Sequence, residues 1–396
     1  MRNLLVLTEL NERAQGLIRF SASHMKHRQY AKTGRHGIER ISRLLAAVSV
    51  IGRMKSSIMP VGQVPKELVH AYLVQSGMGR GLRPAEVQWK YYDEEFNQGR
   101  ERGYVWFKDG RVRGFIGWMP VTVATPAGDR DMVWTCDWSV DDPNGNPGIG
   151  ILLLSKVQKN YGFVGGVGGS ADTHSTVPRM RTNTVAGIAV RLRRPLRLAS
   201  LLERAEDKLP ALPRLSATAL GRVKLPRRSA GGAPAAVFSD GVDAAALGPL
   251  FDQPAVDHCR VRYNADHLAW LGRYPEADFR TGVLKAGTGF AAALLWRRHW
   301  AADRWRMVIR CNPDGTSLVG PLVGQVLERL ADTTGNIVST IASSHDHSVL
   351  EQLKRHGFIQ SAERLPLYIP DDDGAGGCRE GFSQMSYLDT DLAFND

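Results

Sequence analysis

The sequence predicts an α/β (α+β) protein with two tandem domains, each a mixed, mostly antiparallel sheet flanked by helices, behind a basic N-terminal helical extension. Three observations predict this architecture. The chain has 396 residues, more than the ~100–200 residues of one ordinary domain. Helix and strand patterns follow one another in a similar order in residues 65–195 and in residues 236–392. The segments before and between these stretches are basic.

The positive charge is concentrated in the extension and in the linker. The net charge is +11, and residues 1–60 and 191–228 each carry eleven basic against three acidic residues, so the rest of the chain is slightly acidic. Nucleic acid is therefore not expected as a partner of either folded half. We predict a basic helical extension at 1–62, a first domain at 63–195, a basic Pro/Gly-rich linker at 196–234 and a second domain at 235–396.

The extension is predicted to form an amphipathic helix with a basic face. Its apolar residues recur at helical spacing, and they are Ile38, Ile41, Leu44, Leu45, Val48 and Ile51. One interpretation is that residues 1–60 and 191–228 attach to an anionic membrane surface or to an acidic partner. A helix packed on the body with a solvated basic face is the second interpretation, and an organelle-targeting segment is the third.

Cysteine usage and hydropathy indicate a cytoplasmic protein, with peripheral attachment to a membrane only through the basic segments. The four cysteines, Cys136, Cys259, Cys311 and Cys378, form no Cys-x-x-Cys pair, so neither a zinc site nor a disulfide framework is predicted. No apolar run approaches the roughly 18 residues of a membrane-spanning helix. We therefore expect a reducing compartment and no transmembrane segment.

The first domain begins with two helices and an antiparallel run of three strands. Pro84 stands at the first turn of the second helix, where its missing N–H is not needed. The Asp109-Gly110 pair marks a tight hairpin turn between the first two strands. The predicted elements are helices at 66–75 and 84–96, strands at 103–107, 112–123 and 131–140, a helix at 149–161, a strand at 162–164 and a short helix.

The turn after strand 131–140 is the most informative stretch. It reads Asp141-Asp142-Pro143-Asn144-Gly145-Asn146-Pro147-Gly148-Ile149-Gly150. Such a turn leaves the first N–H groups of the following helix unpaired, with the positive end of the helix dipole behind them. Gly148 and Gly150 lack the Cβ that would keep a pyrophosphate away from those amides. The turn predicts an anion site, and a turn that binds nothing is the alternative.

These residues resemble the acetyl-CoA-dependent N-acetyltransferase (GNAT) superfamily, whose element order residues 65–195 share. Gly148-Ile149-Gly150 matches the end of the family's Gln/Arg-x-x-Gly-x-Gly/Ala pyrophosphate loop, although Gly145 stands where the family has Gln or Arg. The resemblance implies acetyl-CoA, or another acyl-CoA, as cofactor. It also implies the cofactor-binding residues, which are Trp138, Ser139, Val140, Gly145, Asn146, Gly148, Ile149 and Gly150.

Acyl transfer to an amine needs a base for the ammonium proton and an acid for the leaving thiolate. Asp137 is the candidate base, because it lies on the strand that borders the acyl group in GNATs; a structural acid is the alternative. Regular strand alternation predicts that Asp137 and Ser139 share the polar face, while Cys136 and Trp138 share the other.

The acid is harder to place. Many GNATs supply a Tyr four residues before the Gly of the last helix, but residues 171–183 contain no Tyr and Leu353 occupies that place in the second half. His174 is the nearest substitute, together with Ser175. Asp141 and His174 are also the next candidates for the base.

Two further patterns have competing interpretations. Gly165 to Gly169 resembles a second phosphate cradle, but no Lys follows it as in a P-loop, and no acid lies about twenty residues on to hold a ribose. His345-Asp346-His347 offers two metal ligands without a third. We therefore predict a helix start capped by Asp346, and no metal site.

The second domain repeats the plan without the phosphate-type loop. Residues 311–318 occupy the place of that loop but lack its Gly-x-Gly spacing. Leu353-Lys354-Arg355-His356-Gly357-Phe358 is similar to the Leu-x-x-x-Gly-Phe ending of the last GNAT helix. Proline and glycine punctuate the whole of 191–234, which reads as a linker. We predict a tandem GNAT-like protein in which only the first domain binds CoA.

The sequence thus predicts an acyl-CoA-dependent N-acyltransferase with a small-molecule amine acceptor. The stretch from Tyr263 to Trp270 is similar to tandem GNAT-like proteins associated with bacterial surface polysaccharide, which implies an amino sugar as acceptor. One alternative is an aminoacyl or peptidyl transferase that uses charged tRNA held by the basic linker. A non-catalytic GNAT-like scaffold is the other.

Overall fold

The computed structural model of the protein describes most of the two predicted domains. The extension through residue 55 and nearly all of the linker lie outside the described residues, so the predictions about a basic helix and a membrane surface stay predictions. The described residues are 56–77, 82–180, 182–197, 234–254, 259–301, 303–331, 333, 335–370, 378, 382–384 and 388.

The first half, residues 56–195, has the predicted order of elements between its first and its last strand, and these two strands were not predicted. Its strands are β1 (Ser56–Pro60), β2 (Gly103–Lys108), β3 (Arg111–Thr125), β4 (Gly128–Val140), β5 (Val164–Val167) and β6 (Thr182–Pro195). Its α-helices are α1 (Lys66–Gln75), α2 (Pro84–Tyr91), α3 (Glu94–Asn97), α4 (Ile149–Asn160) and α5 (Ala171–Thr176). The single helix predicted at 84–96 is two helices, because the Asp93 carboxylate accepts a hydrogen bond from the Phe96 amide and starts a new one.

The second half, residues 234–388, repeats that order. Its strands are β7 (Val237–Asp240), β8 (Cys259–Arg262), β9 (Ala277–Ala286), β10 (Gly289–Arg298), β11 (Arg304–Cys311), β12 (Ile337–Ser343), β13 (Ile359–Pro370) and β14 (Phe382–Gln384). Its α-helices are α6 (Ala244–Phe251), α7 (Ala265–Gly272), α8 (Val319–Leu330) and α9 (His347–Arg355). Sequence patterns missed β7, α6 and β8, which are short and lack clear periodicity.

The two halves share one mixed, mostly antiparallel sheet. Its strand order is β1-β2-β3-β4-β5-β13-β6-β12-β11-β10-β9-β7, and β8 and β14 pair off this path. Strand β6 of the first half pairs with β12 of the second, while β13 of the second half pairs with β5 of the first. We call β6 and β13 the last strands, because each is the last strand that its half contributes to this path. Each last strand therefore pairs with a strand of the other half.

The arginine-rich stretch just before the predicted linker at 196–234 is part of the sheet. Residues 191–195 form the end of β6, with β12 paired along one edge and β13 along the other. Arg191 and Arg194 are buried there rather than solvated. The Arg-Arg-Pro sequence suggested a linker, but Pro195 takes the last position of the strand, where a missing N–H is tolerated.

Apolar cores cover both faces of the sheet. One face carries a core shared by the halves, in which strands from both pack against α2, α6 and α7. The opposite face carries one core beneath α4 and another beneath α8 and α9. Strand β6 shows the alternation, because Ala189 belongs to the shared core while Val190 and Leu192 belong to the core beneath α8 and α9.

Polar contacts inside the shared core fix the junction of the halves. The rings of Trp89 and Trp270 stack with centroids 3.9 Å apart, and each indole N–H donates to the backbone carbonyl of the other residue. Nearby, the buried carboxylate of Glu86 pairs with Arg298 at 2.6 Å and accepts a hydrogen bond from the Tyr274 hydroxyl. Such directional contacts specify one arrangement of the two halves.

The structure pairs Cys259 with Cys378 in a disulfide. The prediction that no cysteines pair is wrong here, because the two residues are 119 apart in sequence and only the fold brings their Cα atoms to 5.3 Å. The cysteine argument for a reducing compartment thereby loses its basis. Cys136 and Cys311 are buried thiols. Within the described ranges, every helix is too short or too polar to cross a membrane.

Candidate active site

The candidate site is a cavity between two parallel strands of the first half. Strands β4 and β5 pair only at Val133–Val164 and Trp134–Gly165, and beyond these positions they diverge. A cavity of about 840 Å³ lies in this gap. Its walls are the end of β4, the loop before α4, the first turns of α4, the glycine-rich β5, α5, and single residues of β6 and β13.

The cavity is lined from both faces of the sheet. Leu154, Val164 and Tyr368 belong to the core beneath α4, whereas Leu365 belongs to the shared core on the opposite face. A molecule in the cavity can therefore contact groups on both sides of the sheet.

The loop before α4 ends at Gly148, the N-cap of the helix, which has open space around it. Gly148 has φ +84°, and a Cβ placed on it would have no neighbouring atom within 4 Å. The Leu152 amide is bonded to the Gly148 carbonyl, so the helix does not use the amides of Gly150 and Ile151. Gly148, Gly150 and Ile151 all line the cavity. The predicted anion-binding turn thus forms one end of the cavity wall.

Gly145 has a different task from the Gln or Arg of the family pattern. Its N–H donates to the Asp142 carboxylate at 3.1 Å, and a Cβ at this position would overlap that carboxylate. The side-chain amide of Asn146 donates a hydrogen bond to the Asp142 carbonyl at 3.1 Å, which stabilises the same turn. Gly145 thus belongs to the turn formed around Asp142, and it does not line the cavity.

Strand β4 contains a bulge at the place where the sequence predicted regular alternation. Asp137 and Trp138 stand opposite the single residue Ile116 of β3, and Asp137 adopts φ +50°. The predicted alternation is wrong here, because two residues of β4 oppose one residue of β3 and the alternation of side chains is shifted by one position. The bulge turns Asp137 out of the cavity wall.

The Asp137 carboxylate is buried beneath the bulge. It lies 2.6 Å from the Lys90 ammonium, accepts a hydrogen bond from the Tyr91 hydroxyl, and only 2% of the residue is exposed. The Tyr91 ring fills the space above Gly117, where a Cβ would come within 2.5 Å of it. This geometry favours the structural interpretation of Asp137, and its role as a base stays a prediction.

Asp141 lies just outside the cavity. Its carboxylate pairs with Arg113 at 2.6 Å, and both side chains are more than a third exposed. Its amide donates to the Arg113 carbonyl at 2.7 Å, which continues the pairing of β4 with β3 past the end of the strand. Asp141 thus has a partner on the β3 side.

His174 contacts the cavity through a tyrosine that sequence reasoning missed. Its Nδ1 is hydrogen-bonded to the hydroxyl of Tyr368, which lines the cavity. Burial raises the pKa of Tyr368 above its usual value. The search for a tyrosine covered residues 171–183, but the exchange of last strands brings this one from β13 of the second half.

The glycine run allows β5 to approach β4 closely. A Cβ on Gly165 would overlap the side chains of Met132 and Trp134, and one on Gly166 would lie 2.9 Å from the Thr135 hydroxyl. That hydroxyl donates to the Gly165 carbonyl at 3.0 Å. The close packing of β5 against β4 thus explains the glycines at 165 and 166 without a bound nucleotide.

Most of the predicted cofactor-binding residues meet at the cavity. Those lining it are Trp138, Ser139, Val140, Asn146, Gly148 and Gly150, whereas Gly145 and Ile149 do not line it. Sequence reasoning missed Thr135, Cys136, Arg191, Leu365 and Tyr368, which also line it. Thr135 and Cys136 precede the predicted residues on β4, whereas strands distant in sequence bring Arg191, Leu365 and Tyr368 to the cavity.

The corresponding place in the second half is closed. A 3-10 helix, Pro313–Leu318, runs directly into α8, so α8 does not begin at an open loop. Gly315 is buried there, and a Cβ on it would overlap the Phe290 carbonyl. Strands β11 and β12 pair at four positions, from Arg304–Ile337 to Met307–Thr340.

The His345-Asp346-His347 segment forms a helix start. The Asp346 carboxylate accepts a hydrogen bond from the Val349 amide at 3.2 Å, which is the predicted cap of α9. In the ranges that the structure describes, no three His, Cys, Asp or Glu side chains gather as metal ligands.

The fold is that of solved acyltransferases at low sequence identity. Saccharomyces cerevisiae N-myristoyltransferase with bound myristoyl-CoA and inhibitors matches with a TM-score of 0.54 and 10% identity, over 80% of this chain and 80% of that one. The same enzyme with bound myristoyl-CoA matches with a TM-score of 0.52 and 10% identity, over 80% of this chain and 83% of that one.

A GCN5-related N-acetyltransferase from Anabaena variabilis matches with a TM-score of 0.47 and 10% identity, over 79% of this chain and 72% of that one. No protein-family model and no curated protein matches the sequence. At 10% identity, the yeast N-myristoyltransferase structures show the fold of this chain alone.

Proposed function

We propose that this protein is an acyl-CoA-dependent N-acyltransferase, which transfers an acetyl or other acyl group to an amine. One observation carries the proposal: a single cavity joins the open glycine turn at the start of α4 to the gap between β4 and β5. The yeast enzyme that shares this fold holds myristoyl-CoA. This supports acetyl-CoA, or another acyl-CoA, as the ligand of the cavity.

The residues at the α4 end of the cavity fit a pyrophosphate. The amides of Gly150 and Ile151 are not used by the helix, and the helix dipole favours negative charge beside them. Open space at Gly148 leaves room for the phosphate oxygens. Toward the strand gap the wall becomes apolar at Leu154 and Val164, which suits the less polar part of the ligand.

Bound acyl-CoA would supply an acyl group activated as a thioester. The end of β4, from Thr135 to Val140, faces the gap where β5 no longer pairs with it. Backbone N–H groups on such an open strand edge are donors for an oxygen that gains negative charge during the reaction. In this proposal Asp137 holds the bulge that shapes this edge.

Tyr368 is our candidate for the acid. Its hydroxyl carries a proton at neutral pH, since the ordinary pKa of tyrosine is about 10, and it lies where it can deliver that proton inside the cavity. The Nδ1 atom of His174 is bonded to that hydroxyl, and His174 is exposed to solvent, so it can restore the proton. His174 thus acts through Tyr368, while Asp137 and Asp141 stay the base candidates predicted from sequence.

A substitution at Gly148 tests the binding of CoA. Asn and Asp tolerate a positive φ to a similar degree and have the same shape, so Gly148→Asn and Gly148→Asp differ in charge alone. We expect Gly148→Asp to weaken CoA binding by at least about 100-fold in calorimetry, because a carboxylate would face the pyrophosphate, and Gly148→Asn to weaken it far less.

Equal affinities in the two folded variants would contradict a pyrophosphate site at this turn. Failure of the parent protein to bind CoA, acetyl-CoA or myristoyl-CoA would contradict the proposed function itself. The latter result would favour the non-catalytic scaffold predicted as an alternative.

The acceptor rests on the sequence resemblance alone. An amino sugar of surface polysaccharide stays a prediction, and so does transfer from charged tRNA, which relies on linker residues outside the described ranges. Attachment to an anionic membrane surface through residues 1–60 and 191–228 also stays a prediction, although residues 191–195 belong to strand β6.

A further inference from the structure

The cavity wall contains a buried cation that the proposed chemistry does not use. Arg191 lies on β6 opposite Ile341 of β12, and it is 9% exposed. Its side chain lines the cavity. Its Nε atom is buried and has no hydrogen-bond partner in the described part of the chain. A buried guanidinium in this state favours any anion that can reach it.

Charge in the cavity is sparse, which isolates this cation. Among the described lining residues, Arg191 is the one Lys or Arg and Asp172 the one acid. Asp172 lies on the exposed side of α5, and among the described side chains the two do not form an ion pair. The neighbouring Arg194 does not line the cavity, and it donates to the His356 carbonyl.

Arg191 lies across the sheet from the glycine turn. Strand β6 is paired regularly with β12 from Ala189 to Pro195, so Arg191 shares a face with Ala189 of the shared core. Helix α4 packs on the opposite face, where its start forms the predicted pyrophosphate site. Because the cavity is lined from both faces, Arg191 is placed toward the reacting end of a bound ligand rather than toward its phosphates.

We propose that Arg191 forms a carboxylate-binding subsite for one of the two reacting groups, either the amine acceptor or the acyl chain. This rests on the proposed function. A guanidinium offers a planar pair of N–H donors that matches a carboxylate in two parallel hydrogen bonds. One cation also balances the single charge of a carboxylate, whereas a phosphate dianion would leave a buried charge uncompensated.

The test measures discrimination between ligand pairs that differ in one carboxylate. In the acceptor arm, CoA-saturated protein is titrated with propionate, glycine or L-alanine and with the corresponding amides. In the acyl arm, the Kd of succinyl-CoA is compared with that of butyryl-CoA. We expect at least one carboxylate to bind about 10- to 100-fold more tightly than its neutral partner.

Two variants assign that preference to Arg191. Arg191→Met keeps most of the side-chain volume and removes the charge, so it should abolish the preference while leaving the Kd of CoA unchanged. Arg193→Gln removes the same charge two residues along β6, from a residue that does not line the cavity, and should retain the preference. Arg191→Met should also melt no lower than the parent, because it removes a buried cation without a described counter-charge.

Three results would overturn the proposal. They are equal affinity for carboxylate and neutral partner in both arms, an unchanged preference in Arg191→Met, and a loss of CoA affinity in Arg191→Met, which would assign the cation to a phosphate. The proposed function fails separately, if the parent protein does not bind CoA, and the acceptor arm can then be run on the protein alone.

Discussion

The two halves of the sheet have the same strand order but differ where their parallel strands meet. In the first half, β4 and β5 pair at two positions and then diverge, whereas β11 and β12 of the second half pair at four. The helix that follows begins at an open loop in the first half and behind a buried 3-10 helix in the second. In the first half, the cavity thus coincides with a shorter parallel pairing and with a helix that begins at an open loop.

The bulge is the second difference between the halves. Strand β4 shifts its register against β3 at Asp137, while β11 pairs with β10 without a shift along its whole length. A bulge breaks the ladder and increases the local twist, which turns the end of β4 away from β5. The buried Lys90–Asp137 pair lies beneath this bulge, where the paired charges offset the cost of burying each of them.

Removal of the charge beneath the bulge should have the largest effect on stability. Asp137→Asn leaves the buried ammonium of Lys90 without its counter-charge, so we expect a loss of about 3–5 kcal/mol in the free energy of unfolding. Chemical denaturation measures it. The double variant Lys90→Met, Asp137→Asn should recover part of this loss. An Asp137→Asn protein that is as stable as the parent but inactive would instead support Asp137 as the base.

Substitution of Tyr368 on strand β13 should have the next largest effect, and this effect is on turnover. Tyr368→Phe removes the hydroxyl that His174 contacts, and we expect turnover to fall about 10²- to 10³-fold while the Kd of CoA is unchanged. Steady-state release of CoA and calorimetry measure the two quantities. Tyr263→Phe is the matched control, because Tyr263 is a buried tyrosine of the second half that does not line this cavity. Equal turnover of Tyr368→Phe and the parent would remove the proposed acid.

The junction of the halves should respond to acid. Burial lowers the pKa of His267 to about 4, against the opposing effect of its hydrogen bond to the Pro120 carbonyl. The folded pKa lies below the unfolded value of about 6.5, so the unfolded state binds more protons in this window and acid favours it. Stability from this residue is complete above pH 6.5 and falls by about 3 kcal/mol as the pH drops through 4.

Denaturation at a series of pH values measures that slope. His267→Gln keeps an N–H donor for the Pro120 carbonyl but does not titrate, so its stability should vary less between pH 6.5 and 4. The same slope in the variant and in the parent would assign the acid sensitivity to other groups.

The sequence predicted local structure well and the assembly of the site poorly. Helix Lys66–Gln75 and the Asp109-Gly110 hairpin follow from periodicity and turn chemistry, which are properties of neighbouring residues. The turn at Gly148 could also be predicted from the sequence, because a positive φ at the start of a helix favours glycine. These features need no knowledge of the rest of the chain.

The missed features all depend on contacts between distant segments. Tyr368 reaches the cavity because β13 enters the sheet beside β5. Arg191 reaches it because the linker-like residues 191–195 are the end of strand β6, which pairs with β12 and β13. Cys259 and Cys378 meet for the same reason. The bulge at Asp137 could not be predicted, because its residues are compatible with a regular strand. Only their pairing with β3 shows that β4 has one extra residue.

The exchange of last strands also governs when the site can exist during synthesis of the chain. Strand β6 leaves the ribosome early, but its partners β12 and β13 follow only at Ile337–Ser343 and Ile359–Pro370. Until then both edges of β6 lack their partners, and β5 lacks the strand that carries Tyr368. Long-range pairing of this kind forms slowly, and exposed edges invite aggregation. A nascent chain released before residue 370 would therefore have the glycine turn but not the finished cavity, and its unpaired strand edges would favour aggregation.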